Sequence, residues 1–198
     1  MNKTNEINKL TVRETVERPL RYSAIKEGLM LLPCPESIKI GRGAYRIPAT
    51  LREMSQGLTW GQRVTLSEMP EGDGDILMAI FGALYGADTK DILSMKAKDA
   101  YPAASHIIKL LNELLEREGK LLYRKPSSDE ISAGIERLSK YGQLQTLIFL
   151  QQSFNETVEG VMEHKYEDCL TRLMLNREQQ EYQERYSNML KERNKRKK

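Results

Sequence analysis

The chain has 198 residues, 39% of them apolar, with 31 Lys and Arg against 28 Asp and Glu for a net charge of +3. That supplies one domain of ordinary size, or a compact helical domain with extended arms, and excludes a small scaffold that needs staples. Cys34 and Cys169 stand far apart without CxxC or Cys/His spacing, which excludes a zinc site or a disulfide framework and fits a reducing cytoplasm.

Residues 1–18 are dominated by charged and polar side chains and predict a flexible arm that orders only against a partner. They also lack the apolar stretch of a signal peptide. Residues 19–47 predict an extended segment in which Ile38 to Ile47 alternate around Gly41-Arg42-Gly43 as a small hairpin. Residues 48–190 carry helical signals. Thr59 caps a short helix through Met69, ended by Pro70 and the Gly-Asp-Gly run at 72–74. Asp73 or Asp75 starts a second, whose Ile76, Leu77, Ile80, Phe81, Leu84 and Tyr85 form one wide apolar stripe before Gly86.

Asp88 to Asp91 start a further short helix, and Pro102 introduces a longer one carrying Ile107, Leu111, Leu114 and Leu115. The Ser127-Ser128-Asp129-Glu130 run caps a helix that continues to about Tyr141 and ends at Gly142. Leu144 to Phe154 and Glu156 to Glu163 predict two more helices across a turn at Asn155. A long last helix runs from about His164 to Lys191. Neither an internal repeat nor a sustained heptad array is expected. Residues 191–198 form a basic tail: six Lys and Arg with one Glu sum to +5, leaving −2 for the rest of the chain. Charge concentrated in a terminal tail reads as a solvated helix end or a disordered one, not as a folded nucleic-acid face. The fold class is therefore mainly α, a helical domain with a small β-hairpin near the N-terminus and a long C-terminal helix.

Candidate chemistry yields to simpler readings. Glu71, Asp73 and Asp75 alternate with glycine but lack the register of a calcium loop, so capping and turn roles account for them. His106 and His164 have no second His or Cys at helical spacing, so no metal site is expected. There is no nucleophile elbow at a serine, and Gly41-Arg42-Gly43 lacks the glycines and lysine of a phosphate cradle. Residues 129–163 imitate a helix-turn-helix, yet the second helix, Glu156 to Glu163, carries three carboxylates and no Lys or Arg, and phosphates would repel it. No catalytic residue, cofactor or metal is assigned, and the longest apolar runs are about half the roughly 20 residues of a membrane span. Trp60, Tyr182, Tyr186 and Met189 are the candidate partner-binding residues.

Leu58-Thr59-Trp60-Gly61-Gln62-Arg63 before an acidic, apolar helix resembles a segment of small proteins encoded by phages and prophages of Bacteroidota-like hosts. So do Asp129 to Leu138 with Tyr141-Gly142, and Tyr182-Gln183-Glu184-Arg185-Tyr186 before the basic end. Over residues 48–198 the arrangement is similar to that of tail assembly chaperones, helical proteins that bind the tape-measure protein and recruit tail-tube subunits in tailed bacteriophages. The resemblance implies a non-enzymatic phage assembly protein working in the host cytoplasm. An arm and hairpin before Pro48 depart from that pattern and favour the alternative, a virion component such as a head-to-tail connector or ring subunit. Such a subunit would form a homo-oligomer or contact portal and head proteins. A nucleic-acid-binding regulator using residues 129–163 or the basic tail is the outlying third reading.

Overall fold

In the computed structural model, residues 7–69 and 73–196 are described. Thr11 stops one helical turn and starts another. Its hydroxyl accepts from the Glu14 N–H while the Glu14 carboxylate accepts from the Thr11 N–H at 2.9 Å, a reciprocal cap on α1 (Val12–Glu17). Pro19 then opens α2 (Pro19–Met30) at the position where its missing N–H costs nothing. Helix over 7–9 and Val12–Glu17 therefore takes the place of the expected flexible arm, and helix also replaces the expected extended chain over 19–30. Residues 1–6 of the arm lie outside the described residues. Leu10, Val12 and Thr15 are buried and anchor this segment.

The hairpin forms as expected. β1 (Ser37–Ile40) pairs antiparallel with β2 (Gly43–Arg46), Ile38 opposite Tyr45 and Ile40 opposite Gly43. Gly41 takes φ +56 at the first loop position, which suits a two-residue hairpin turn and disfavours any side chain. Thr50 caps α3 (Leu51–Gly57), and Thr59, in a capping box with Gln62, caps α4 (Trp60–Ser67). The α4 end expected at Met69 falls two residues early, and Pro70 lies outside the described residues. α5 (Asp73–Tyr85) buries Leu77, Ile80 and Phe81. Asp88 caps α6 (Thr89–Ser94) by accepting from the Asp91 N–H at 2.7 Å.

α7 (Ala97–Leu122) starts five residues before the expected Pro102, which sits inside it. Its start is set by a backbone bridge: Ala97 N–H donates to Leu10 C=O at 2.8 Å, and Val12 N–H donates to Met95 C=O at 2.9 Å. Those bonds hold Met95 and Lys96 out of the helix. After α8 (Ser128–Ser132), Gly134 at φ +81 breaks the helix expected to reach Tyr141, and residues Ile135–Tyr141 wind as a 3₁₀ segment. α9 (Gln143–Phe154), a left-handed Asn155, α10 (Val158–Glu163) and the long α11 (Tyr166–Arg196) complete the chain. Six residues of the expected tail, 191–196, thus continue α11.

An internal repeat, not expected from the sequence, relates α5–α6–α7 to α9–α10–α11 at a constant offset of 69 positions. Gly86 (φ 63) and Asn155 (φ 57) are the left-handed residues, Asp88 and Thr157 the caps, and Met95 (φ −62, ψ 150) and His164 (φ −64, ψ 150) the extended breaks. Lys96 and Lys165 carbonyls each accept from the residues three and four later. Buried positions correspond as well: Phe81 with Leu150, Ile92 with Val161, Ala100 with Cys169, Tyr101 with Leu170. Few side chains are shared, Lys96/Lys165, Asp99/Asp168 and Leu121/Leu190 being identical across this span. The repeat lives in backbone geometry and burial, which residue identity does not carry.

The chain divides into two units, residues 1–115 and 116–198, the division falling within α7. Among the described residues, 24 of the 30 buried apolar side chains belong to the first unit, while 11 of the 14 large exposed ones belong to the second. The second unit therefore leaves an unusual share of its apolar surface in water. No helix among the described residues is long and apolar enough to cross a membrane.

Candidate protein-interaction surface

Within the second unit α11 changes character along its length. Its first turns bury Tyr166, Cys169, Leu170 and Leu173, whereas from Leu175 onward its apolar residues are exposed. At 100° per residue, Leu175, Tyr182, Tyr186 and Met189 fall on one face. Tyr182, Tyr186 and Met189 are 56%, 44% and 58% exposed, and the two tyrosine rings stack at 6.1 Å with 12° between their planes. Three of the four candidate residues thus form one continuous patch. Trp60 does not join it: it belongs to the first unit and is buried, with the Arg63 guanidinium 5.3 Å from its ring centre. It serves the core.

Polar contacts hold the helix in place. Arg117 pairs with Glu167 at 2.9 Å. The Phe154 ring lies between the His164 imidazole, stacked at 3.8 Å, and the Arg172 guanidinium, also at 3.8 Å, and His164 Nε2 is 3.0 Å from Glu156 Oε2. Further along, Arg124 reaches Glu184 at 3.1 Å and also binds Glu130, while Lys191 lies 3.5 Å from Asp129. Glu130 caps α8 by accepting from the Ser127 N–H at 2.8 Å. The Arg124 guanidinium first, and then that backbone bond, hold the Glu130 carboxyl down at about 2. Arg124, Ser127, Glu130, Gln179, Tyr182 and Glu184 line an open groove of about 840 Å³. The helix is fastened here by charge, which leaves its apolar face uncovered.

A second set of exposed apolar residues, Ile131, Leu138, Tyr141, Leu144 and Ile148, precedes α11 in the same unit. Sequence reasoning missed both this set and the Arg124–Glu130–Glu184 contacts. The capping run at Ser127 was readable, but the break at Gly134, which leaves the segment short of a buried face, was not.

In the first unit, Ile47, Pro48, Met54, Leu58, Leu84 and Tyr85 line a cleft of about 370 Å³ with the Arg46–Glu53 pair (3.3 Å) at its edge. Tyr45 and Tyr85 rings meet at 5.0 Å. Burial first, then the nearby Cys34, push the Tyr85 phenol up to about 12. Burial also pushes the Cys169 thiol up to about 12 and raises that of Cys34. Both thiols are therefore poor nucleophiles. Among the described residues no group of three or more His, Cys, Asp or Glu is placed to hold a metal ion. No protein-family model matches the chain, and neither curated proteins nor solved structures give a match.

Proposed function

We propose that the protein is a non-enzymatic assembly factor that captures an apolar segment of a partner chain through its second unit, in the manner of a phage tail assembly chaperone. The observation that carries this reading is the exposed Tyr182–Tyr186–Met189 face on a helix anchored by ion pairs. A surface of aromatic and methionine side chains on a fixed helix is suited to an amphipathic partner laid along it. Tape-measure and tail-tube proteins, which expose apolar segments before assembly, are the partners the sequence resemblance implies. The connector alternative was motivated by a flexible N-terminal arm, and residues 7–18 fold back into the first unit instead.

The test is affinity capture of the tagged protein from cells that express it with its neighbouring genes, followed by identification of the bound chains. A long tape-measure-like chain or a tube subunit is the expected recovery. A closed ring of this chain, or portal and head proteins, would replace the capture reading with the connector one. Salt-dependent duplex binding that disappears on deleting residues 194–198 would instead favour a nucleic-acid role.

A further inference from the structure

We infer that the exposed face of α11 pairs with the same face of a second copy of this chain, the two helices running antiparallel. Leu175, Gln179, Tyr182, Tyr186, Met189, Arg193 and Arg196 recur at alternating spacings of four and three residues, a short heptad run apolar at four of its seven positions, where no sustained array was expected. That is the repeat of a two-helix seam. At about 1.5 Å per residue that seam is about 33 Å long. A shallow groove of about 230 Å³ already runs along it between Tyr186, Met189, Arg193 and Arg196.

Charge chooses both the occupant and its direction. Residues 178–184 sum to −3 and residues 191–196 to +3, so the helix is acidic before the apolar patch and basic after it. Neighbours within the unit reduce this asymmetry without removing it. Arg177, Arg185 and Arg124 return three positive charges to the acidic end and Glu130 takes one back, leaving −1; Asp129 lowers the basic end to +2. A parallel pairing would set Arg193 against Arg193 and Glu178 against Glu178. The antiparallel pairing sets unlike ends together, in a register that packs Tyr182 on Met189 of the second copy and Glu178 beside its Arg193.

A resting dimer of this kind keeps Tyr182, Tyr186 and Met189 out of water until a captured partner competes for them. It deepens the capture reading without resting on it, because a dimer that captures nothing and a monomer that captures are distinct results.

Sedimentation equilibrium of the full chain between about 1 and 100 μM, where an interface of minimal size assembles, reads the association directly. The expected result is a monomer–dimer equilibrium. Met189→Glu should abolish it while the circular dichroism stays helical. Glu178→Arg alone and Arg193→Glu alone should each weaken it about tenfold, roughly 1.4 kcal/mol, and the double variant should restore it. Both charged positions are on the surface, so the swap decides the matter even if Met189→Glu perturbs the helix. A chain that stays monomeric, a dimer indifferent to Met189→Glu, or a double swap that fails to restore pairing would each overturn the inference.

Discussion

The Thr15 hydroxyl lies 2.8 Å from the Tyr101 phenol oxygen, in a buried contact spanning 86 positions of sequence. Thr15 also donates to the Val12 carbonyl at 2.7 Å. Its single proton is thereby committed, so the phenol O–H is the donor between the two. Replacing Tyr101 with Phe removes that donor and keeps the ring, and should cost about 1 kcal/mol. Thr15→Val removes the acceptor of that phenol O–H and should likewise cost about 1 kcal/mol. Urea unfolding of the two single variants and the double measures the coupling. Additive losses would mean that the two groups do not depend on each other.

Gly41 carries the hairpin turn against α6. A Cβ built there would meet the Asp91 carboxylate at 2.2 to 2.9 Å, and the backbone is left-handed at φ +56. Gly41→Ala should therefore destabilise the protein by about 1 to 2 kcal/mol from backbone strain alone. Gly28→Ala, inside α2 with nothing within 4 Å of its Cβ position, should stabilise by up to about 1 kcal/mol. Thermal unfolding of the two variants should shift in opposite directions, and a shared direction would contradict this account of the turn.

These contrasts mark what local sequence can carry. Gly142 misled as a helix stop, since α8 already ends at Ser132, whereas Thr59, Asp88 and Ser127 were legible because a cap acts within a few residues. The hairpin was legible for the same reason. Helix α1 was not, since its order depends on Val12 and Leu10 bonding to Met95 and Ala97, far along the chain. Pro102 misled because a proline at a helix start and one in its sixth position look alike until the bridge at Ala97 is known. Tyr182, Tyr186 and Met189 were readable as one apolar face. That the face would lie open to a partner was readable too, and it is exposed; what was not readable is that Arg124 and Arg177, and not apolar packing, fasten α11.

The Arg124–Glu130 contact has a pH signature. Glu130 is held at about 2 in the folded chain against an ordinary 4.5. A folded value below the unfolded one means that the stabilisation is complete above about pH 4.5 and is lost as pH falls toward 2. Glu130→Gln keeps a side chain able to complete the α8 cap and removes the charge. The melting temperatures of the native chain and this variant should differ most near neutrality and converge by about pH 2. A gap that stays constant across that range would remove the charge from the explanation.

Tyr182 and Tyr186 offer the sharpest separation of function from folding. Both are about half exposed, and alanine is the better helix former, so the double change to Ala should leave the circular dichroism and melting temperature nearly unchanged. It should nevertheless weaken capture of a co-expressed apolar partner by tenfold or more, about the loss of one aromatic anchor. Trp60→Ala supplies the contrast. That ring is buried, and its removal should cost about 3 to 5 kcal/mol of stability and reduce capture only in proportion to the unfolded fraction. Binding and unfolding measured on the same preparations separate the two. Unfolding of the double tyrosine variant would place those rings in the core, and full capture by it would move the partner surface to the exposed strip between Ile131 and Ile148.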